Sequence, residues 1–183
     1  MPIELPRFVL KNNRLWTTEV VLPSWRGFQN RRVHYGALEG SGVSDGLTLI
    51  IFAPEGRGNE PLTDSEIASI LWVIHNEAVL SGAAVSSLFM EYPLLQRRAH
   101  KEPARLMPDI RCTDDLRALI GLHAIHIHQV LKDGMPYVGF ELGCNWDEEH
   151  GLGILVHGNR TVEIGGADTA FLRWIAEEDA AKG

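Results

Sequence analysis

The 183-residue sequence predicts a single α+β domain spanning residues 1–183. In it an antiparallel sheet with a C-terminal four-stranded meander packs against a central helical pair and a C-terminal helix. Three observations lead to this expectation. LHAIHIHQVLK and MPYVGFELGCNW both alternate apolar and polar residues around an Asp-Gly pair, which is a two-residue hairpin signal. TDSEIASILWVIHNEAVL repeats its apolar residues at helical spacing. ADTAFLRWIAEEDA follows the Gly165-Gly166 break and reads as a closing helix.

Glu19–Leu22 is a short strand candidate, and the apolar run Leu47–Ala53, closed by Pro54, reads as a strand covered on both faces. EGRGNEPL is a loop. Thr63 then stands three residues before Glu66, the spacing of a capping box, and Ile67, Ile70, Leu71, Ile74 and Ala78 form the stripe of a helix expected to stop at Gly82. A second helix is expected from about Ala84 to Arg98, kinked or divided by Pro93. A third, short helix is expected after Thr113, where Asp114 and Asp115 place negative charge at its N-terminus.

With Asp133-Gly134 as the turn, Lys132 faces Met135, Ile127 faces Phe140 and Ile125 faces Leu142, so one side is apolar. The other side pairs His126 with Glu141, His128 with Gly139 and Ala124 with Gly143. A three-residue turn starting at His157 would set Ile154 opposite Val162 and Leu152 opposite Ile164. Asp168 is the expected cap of the last helix, with Phe171, Leu172, Trp174 and Ile175 for packing.

Composition narrows the function classes. Hydrophobic residues are 45% and charged residues 22% of the chain, the balance of a folded globular protein. A formal net charge of -7 argues against a nucleic-acid partner, since such binding needs a concentrated cationic surface. The pairs Arg31-Arg32 and Arg97-Arg98 are isolated and read as solvated surface. Cys112 and Cys144 have no metal-site or CxxC spacing, which suits a reduced, cytoplasmic setting. The start of the chain, with Glu4 and two prolines, does not read as a secretory leader, and no apolar run approaches the ~20 residues of a membrane span. Nothing in the residues specifies an oligomeric state.

The stretch CNWDEEHG, residues 144–151, is the densest chemistry in the chain. One reading is a metal-dependent hydrolase or metal-binding regulator, with His126, His128, Glu141 and His150 as ligands. Calcium at Asp147, Glu148 and Glu149 is a weaker reading, because the spaced ligand pattern of a calcium loop is missing. Cys144 facing His123 offers a thiol and an imidazole, although a buried structural cysteine is the preferred reading. No nucleophile-elbow, zincin, phosphate-loop or dinucleotide motif occurs, so no catalytic residue and no cofactor is expected. The structural reading of the stretch is stronger. Trp146 anchors the strand end, Asp147 accepts backbone N–H groups, His150 ties the turn and Gly151 takes a positive φ, leaving Glu148 and Glu149 on display.

YVGFELGCNWDEEHGLGILVHGNRTVEIGGADTAF resembles the C-terminal signature of an uncharacterised bacterial domain family that shares a WDxEHGxG motif. Trp146, Asp147, Glu149, His150, Gly151 and Gly153 match it here. LPSWRGF and PLTDSEIASILWVI are similar to that family's N-terminal region and central helix. The resemblance implies an α+β domain, and such proteins are similar to the immunity proteins of bacterial toxin systems. It therefore implies a non-enzymatic module that binds and occludes a cognate toxin. Trp25, Glu141, Trp146, Asp147, Glu148, Glu149, His150 and Gly151 are the candidate motif or partner surface.

Overall fold

The computed structural model describes residues 6–31, 42–57, 59–99 and 104–182; Glu4, Arg32 and Gly58 lie outside these. A seven-stranded sheet follows chain order: β1 (Val9–Lys11), β2 (Leu15–Val21), β3 (Leu47–Phe52), β4 (Ile120–Lys132), β5 (Met135–Cys144), β6 (Asp147–His157) and β7 (Arg160–Gly165). The fold is the α+β class read from the sequence, with its C-terminal meander, central helical pair and closing helix. One pairing departs from the antiparallel expectation. β3 and β4 run parallel, because the helical pair α1 (Asp64–His75) and α2 (Glu77–Arg98) carries the chain back across the sheet between them.

The helical pair divides at Asn76, six residues before the expected Gly82 break. Thr63 and Glu66 make the full capping box that starts α1. At its other end the Asn76 side chain donates to the Trp72 carbonyl at 2.8 Å, competing with the helical pattern and releasing the chain into a new helix. Gly82 sits exposed inside α2, which also runs through Pro93. Leu80, Ala84, Leu88 and Tyr92, each four residues apart, form its buried stripe. Packing of that stripe on the sheet outweighs the propensity cost of both residues.

The reading that no apolar run approaches a membrane span needs correcting for α2. Its 22 residues include an 18-residue window with a mean hydropathy of 1.4 and few charges, which by length and composition alone satisfies a spanning helix. The helix packs instead as a core element, against β6, β7 and the 3-10 turn Pro23–Trp25.

The main core lies between the helical pair and one sheet face, where Ile125, Ile127, Val138, Phe140, Leu142 and Ile154 are buried. Each such side chain contributes roughly 1.5–3 kcal/mol by leaving water. β4 reaches this core through two irregularities. The Asp133-Gly134 turn has both residues at positive φ (52° and 74°) and pairs Lys132 with Met135 as expected. A register shift between Ile127 and Leu131 then moves the pairing by two residues, so Ile127 faces Val138 and Ile125 faces Phe140. An even shift keeps the same residues on the apolar side.

The second shift, at His123, is odd. It reverses the alternation and turns Leu122 and Ile120 inward opposite Leu142 and Cys144. Cys144 therefore faces Ile120 and not His123, whose Nδ1 donates to the Arg31 carbonyl at 3.0 Å. Between β6 and β7 a two-residue turn, Gly158-Asn159, replaces the expected three-residue one. A further register shift between Leu155 and Val156 then sets Ile154 opposite Ile164.

The opposite sheet face is covered by the 3-10 turn Ala167–Ala170 and by α3 (Arg173–Ala181), over a smaller core of Tyr137, Leu155, Ile175 and Ala176. Asp168 lies in the 3-10 turn and does not cap α3, whose N-cap is Leu172. Phe171 and Trp174, expected to pack, are 48% and 50% exposed, since the turn rotates them away from the sheet. The close approach of this turn depends on Gly139 and Gly153: a Cβ at either would fall on backbone carbonyl oxygens of Ala170 or Gly166.

Candidate functional site

CNWDEEHG builds a tighter turn and a larger bulge than its spacing suggests. Cys144 pairs with Asp147, so Asn145 and Trp146 alone make the hairpin turn. The next registered pair is Leu142 with Leu152. Four residues of β6, Glu148 to Gly151, thus stand against Gly143 alone on β5.

Asp147 organises the bulge. Its Oδ1 accepts the His150 backbone N–H at 2.9 Å and lies 3.0 Å from His150 Nδ1. Gly151 closes the excursion at φ 64°, a region that costs other residues strain. Trp146 packs edge-on against Tyr92 of α2, with ring centroids 5.7 Å apart. Glu148, Glu149 and His150 are left exposed.

Behind the bulge lies a polar anchor absent from the sequence reading. The Asn145 carbonyl oxygen accepts from Gln29 Nε2 at 2.8 Å and from Arg31 Nη2 at 3.2 Å, while its amide reaches the Ala118 carbonyl. Arg31 is 1% exposed, and burial lowers its pKa against the opposing pull of Cys144 and Glu148. Gln29 and Arg31 come from more than a hundred residues away in the chain, so local spacing carries no sign of them. Cys144 is inert: burial pushes its thiol up to about 12.

A family profile described as Domain of unknown function (DUF6985) matches residues 18–172. The chain belongs to the DUF6985 family. The match takes in β3 to β7, part of β2, both central helices and the bulge. No curated protein and no solved structure matches the chain.

Two of the residues expected at the surface of this DUF6985 domain are interior. Trp25 is 1% exposed, stacked on Phe28 and Phe140, and its Nε1–H donates to Ser81 Oγ at 2.8 Å. The 3-10 turn that follows Leu22 points the indole beneath α2 and removes it from any partner surface. Glu141 is 8% exposed and accepts from His126 Nε2 at 2.6 Å. Trp146, Asp147, Glu148, Glu149, His150 and Gly151 do come together, as one hairpin turn and the bulge that follows it.

The four-residue metal set is not assembled. His126 and Glu141 meet, but His128 Nε2 donates to the Ala170 carbonyl at 2.9 Å, and burial lowers its pKa. His150 is carried outward by the bulge at the other end of the hairpin and pairs with Asp147. Among the described residues no group of three or more His, Cys, Asp or Glu side chains is placed to hold a metal ion.

Proposed function

We propose that this DUF6985 domain is a cytoplasmic, non-enzymatic protein-binding module, an immunity-type inhibitor that neutralises a cognate bacterial toxin by occlusion. The observation that supports this reading most is the β6 bulge: Asp147 and Gly151 hold Glu148, Glu149 and His150 out from the sheet at the start of β6. Charged side chains presented on a preorganised element lose little conformational entropy on binding. Together with a net charge of -7, they favour a basic cleft as the complementary surface and speed the encounter with it. A stable occluding contact buries roughly 800 Å² on each partner, so the bulge acts as the anchoring part of a wider footprint.

The test is capture from the native host with the wild-type chain and with the E148K/E149K double variant. The expected result is one basic protein partner, held in stoichiometric amount, released by salt and lost from the variant while the melting temperature stays unchanged. Expression of that partner alone should arrest growth, and co-expression with this chain should restore it. A partner retained by the variant, or no stoichiometric partner at all, would overturn the reading.

A further inference from the structure

A second feature lies at the opposite end of β4 from the bulge. The layer formed by the Ala167–Ala170 turn and α3 packs against β4, β5, β6 and β7. Where this layer ends, beside the C-terminal end of β3 and its parallel neighbour β4, a cavity of about 590 Å³ opens. Crevices beyond the carboxyl ends of parallel strands are common ligand sites, and this volume suits a small molecule.

The walls are of two kinds. Leu15, Ala53, Pro54 and Phe171 are apolar, and the Phe171 ring lies tilted over His126 with centroids 5.2 Å apart. Arg14, Arg173, Glu55, His126, His128 and Gln129 supply the polar groups. Among the described residues Glu55 is the only carboxylate side chain on the lining, and it is already bonded to Arg173, which also binds Glu177 at 2.7 Å. Glu141 stands behind His126 and holds its Nε2. Arg14, on the turn between β1 and β2, has no side-chain partner among the described residues.

We propose that this cavity binds a small organic monocarboxylate with a planar or apolar body, its carboxylate on Arg14 and its body against Phe171. Arg173 is already bonded to Glu55 and Glu177, so among the described residues Arg14 is the one guanidinium of the lining without a side-chain partner. A single uncommitted positive charge matches a monoanion better than a dianionic phosphate. Guanidinium and carboxylate also pair in a planar, bidentate geometry. Phe171, half exposed as it stands, gains a partner for its open face.

The experiment is an amide NMR titration of the intact chain with three probes: benzoate, acetate and inorganic phosphate. Benzoate is expected to bind saturably, with shifts concentrated at Ala53, Glu55, Gly56, Gln129 and Phe171, and more tightly than acetate or phosphate. Arg14→Ala, at an exposed position, should weaken benzoate about tenfold with the fold unchanged. Phe171→Ala should remove the preference for benzoate over acetate. E148K/E149K should leave benzoate affinity unaltered, which separates this site from the protein-binding reading. No saturable benzoate shift, phosphate as the tightest ligand, or affinity indifferent to both cavity substitutions would each overturn the proposal.

Discussion

His126 and Glu141 are joined by a 2.6 Å hydrogen bond although neither is the other's strand partner: His126 lies opposite Gly139, and Glu141 lies opposite Ala124. The contact is diagonal, made possible because Gly139 has no side chain to intervene. With a carboxylate as acceptor, Nε2 is the protonated nitrogen of His126. Removing the acceptor leaves a largely buried imidazole N–H without its partner. Glu141→Ala should therefore cost about 2 kcal/mol in urea unfolding. A double-mutant cycle with His126→Ala should give a coupling of about 1–3 kcal/mol. A coupling near zero would mean that the pair adds nothing to stability.

Two glycines should respond in opposite directions. Gly139→Ala drives a methyl into the Ala170 carbonyl and is expected to destabilise by about 1–3 kcal/mol or more, because backbone cannot move aside as a side chain can. Gly82→Ala meets no atom within 4 Å on the exposed side of α2. It should stabilise by about 0.5–1 kcal/mol by reducing the freedom of the unfolded chain. Thermal and urea unfolding of both variants checks the contrast.

Cys112 is exposed and Cys144 is buried with its thiol pushed up to about 12. An aromatic disulfide reagent at pH 8 should label one thiol rapidly in the folded chain and two after denaturation. Cys144→Ala should leave the native reaction unchanged, whereas rapid labelling of Cys144 would contradict the buried geometry.

Asp179 accepts from Arg160 at 2.5 and 3.1 Å and from the Tyr137 hydroxyl at 2.7 Å, and these bonds, the Arg160 ones foremost, hold its pKa at about 2. A pKa depressed by folding means that the unfolded chain takes up the proton first as pH falls. The stabilisation is therefore present at neutral pH and is lost between about pH 4 and pH 2. Asp179→Asn should cost roughly 1–2 kcal/mol at pH 7. The difference from wild type should shrink towards pH 2, and a gap that persists there would assign the effect to packing alone.

The bulge has its own local test. Asp147→Ala removes the acceptor of the His150 N–H, so hydrogen exchange at His150 and its neighbours should accelerate at least severalfold. The global melting temperature should move little, because Glu148, Glu149 and His150 are exposed.

Much of this architecture was readable residue by residue. The capping box at Thr63 and Glu66, the Asp133-Gly134 hairpin and the positive φ of Gly151 follow from local chemistry, because each requires only atoms a few residues apart. The same locality explains the errors. Gly82 and Pro93 look like helix breakers when considered alone, yet the Leu80 to Tyr92 stripe gains more from the sheet than the two residues lose. Trp25, beside loop-forming glycine and proline, read as surface, and only its pocket between Phe28, Phe140 and Ser81 makes it core.

From the sequence alone came the α+β class, the meander and the residues that bend the chain after β5, since periodicity and turn chemistry act over short distances. Tertiary structure alone decided the register shifts on β4, the burial of Glu141 against His126, and the anchoring of Asn145 by Gln29 and Arg31. Each of these depends on which distant segment supplies the facing atom. Bulges can also change the face that a side chain occupies without any change in composition. CNWDEEHG thus encodes its own bend, while the Gln29 and Arg31 side chains that stand behind it come from segments more than a hundred residues away.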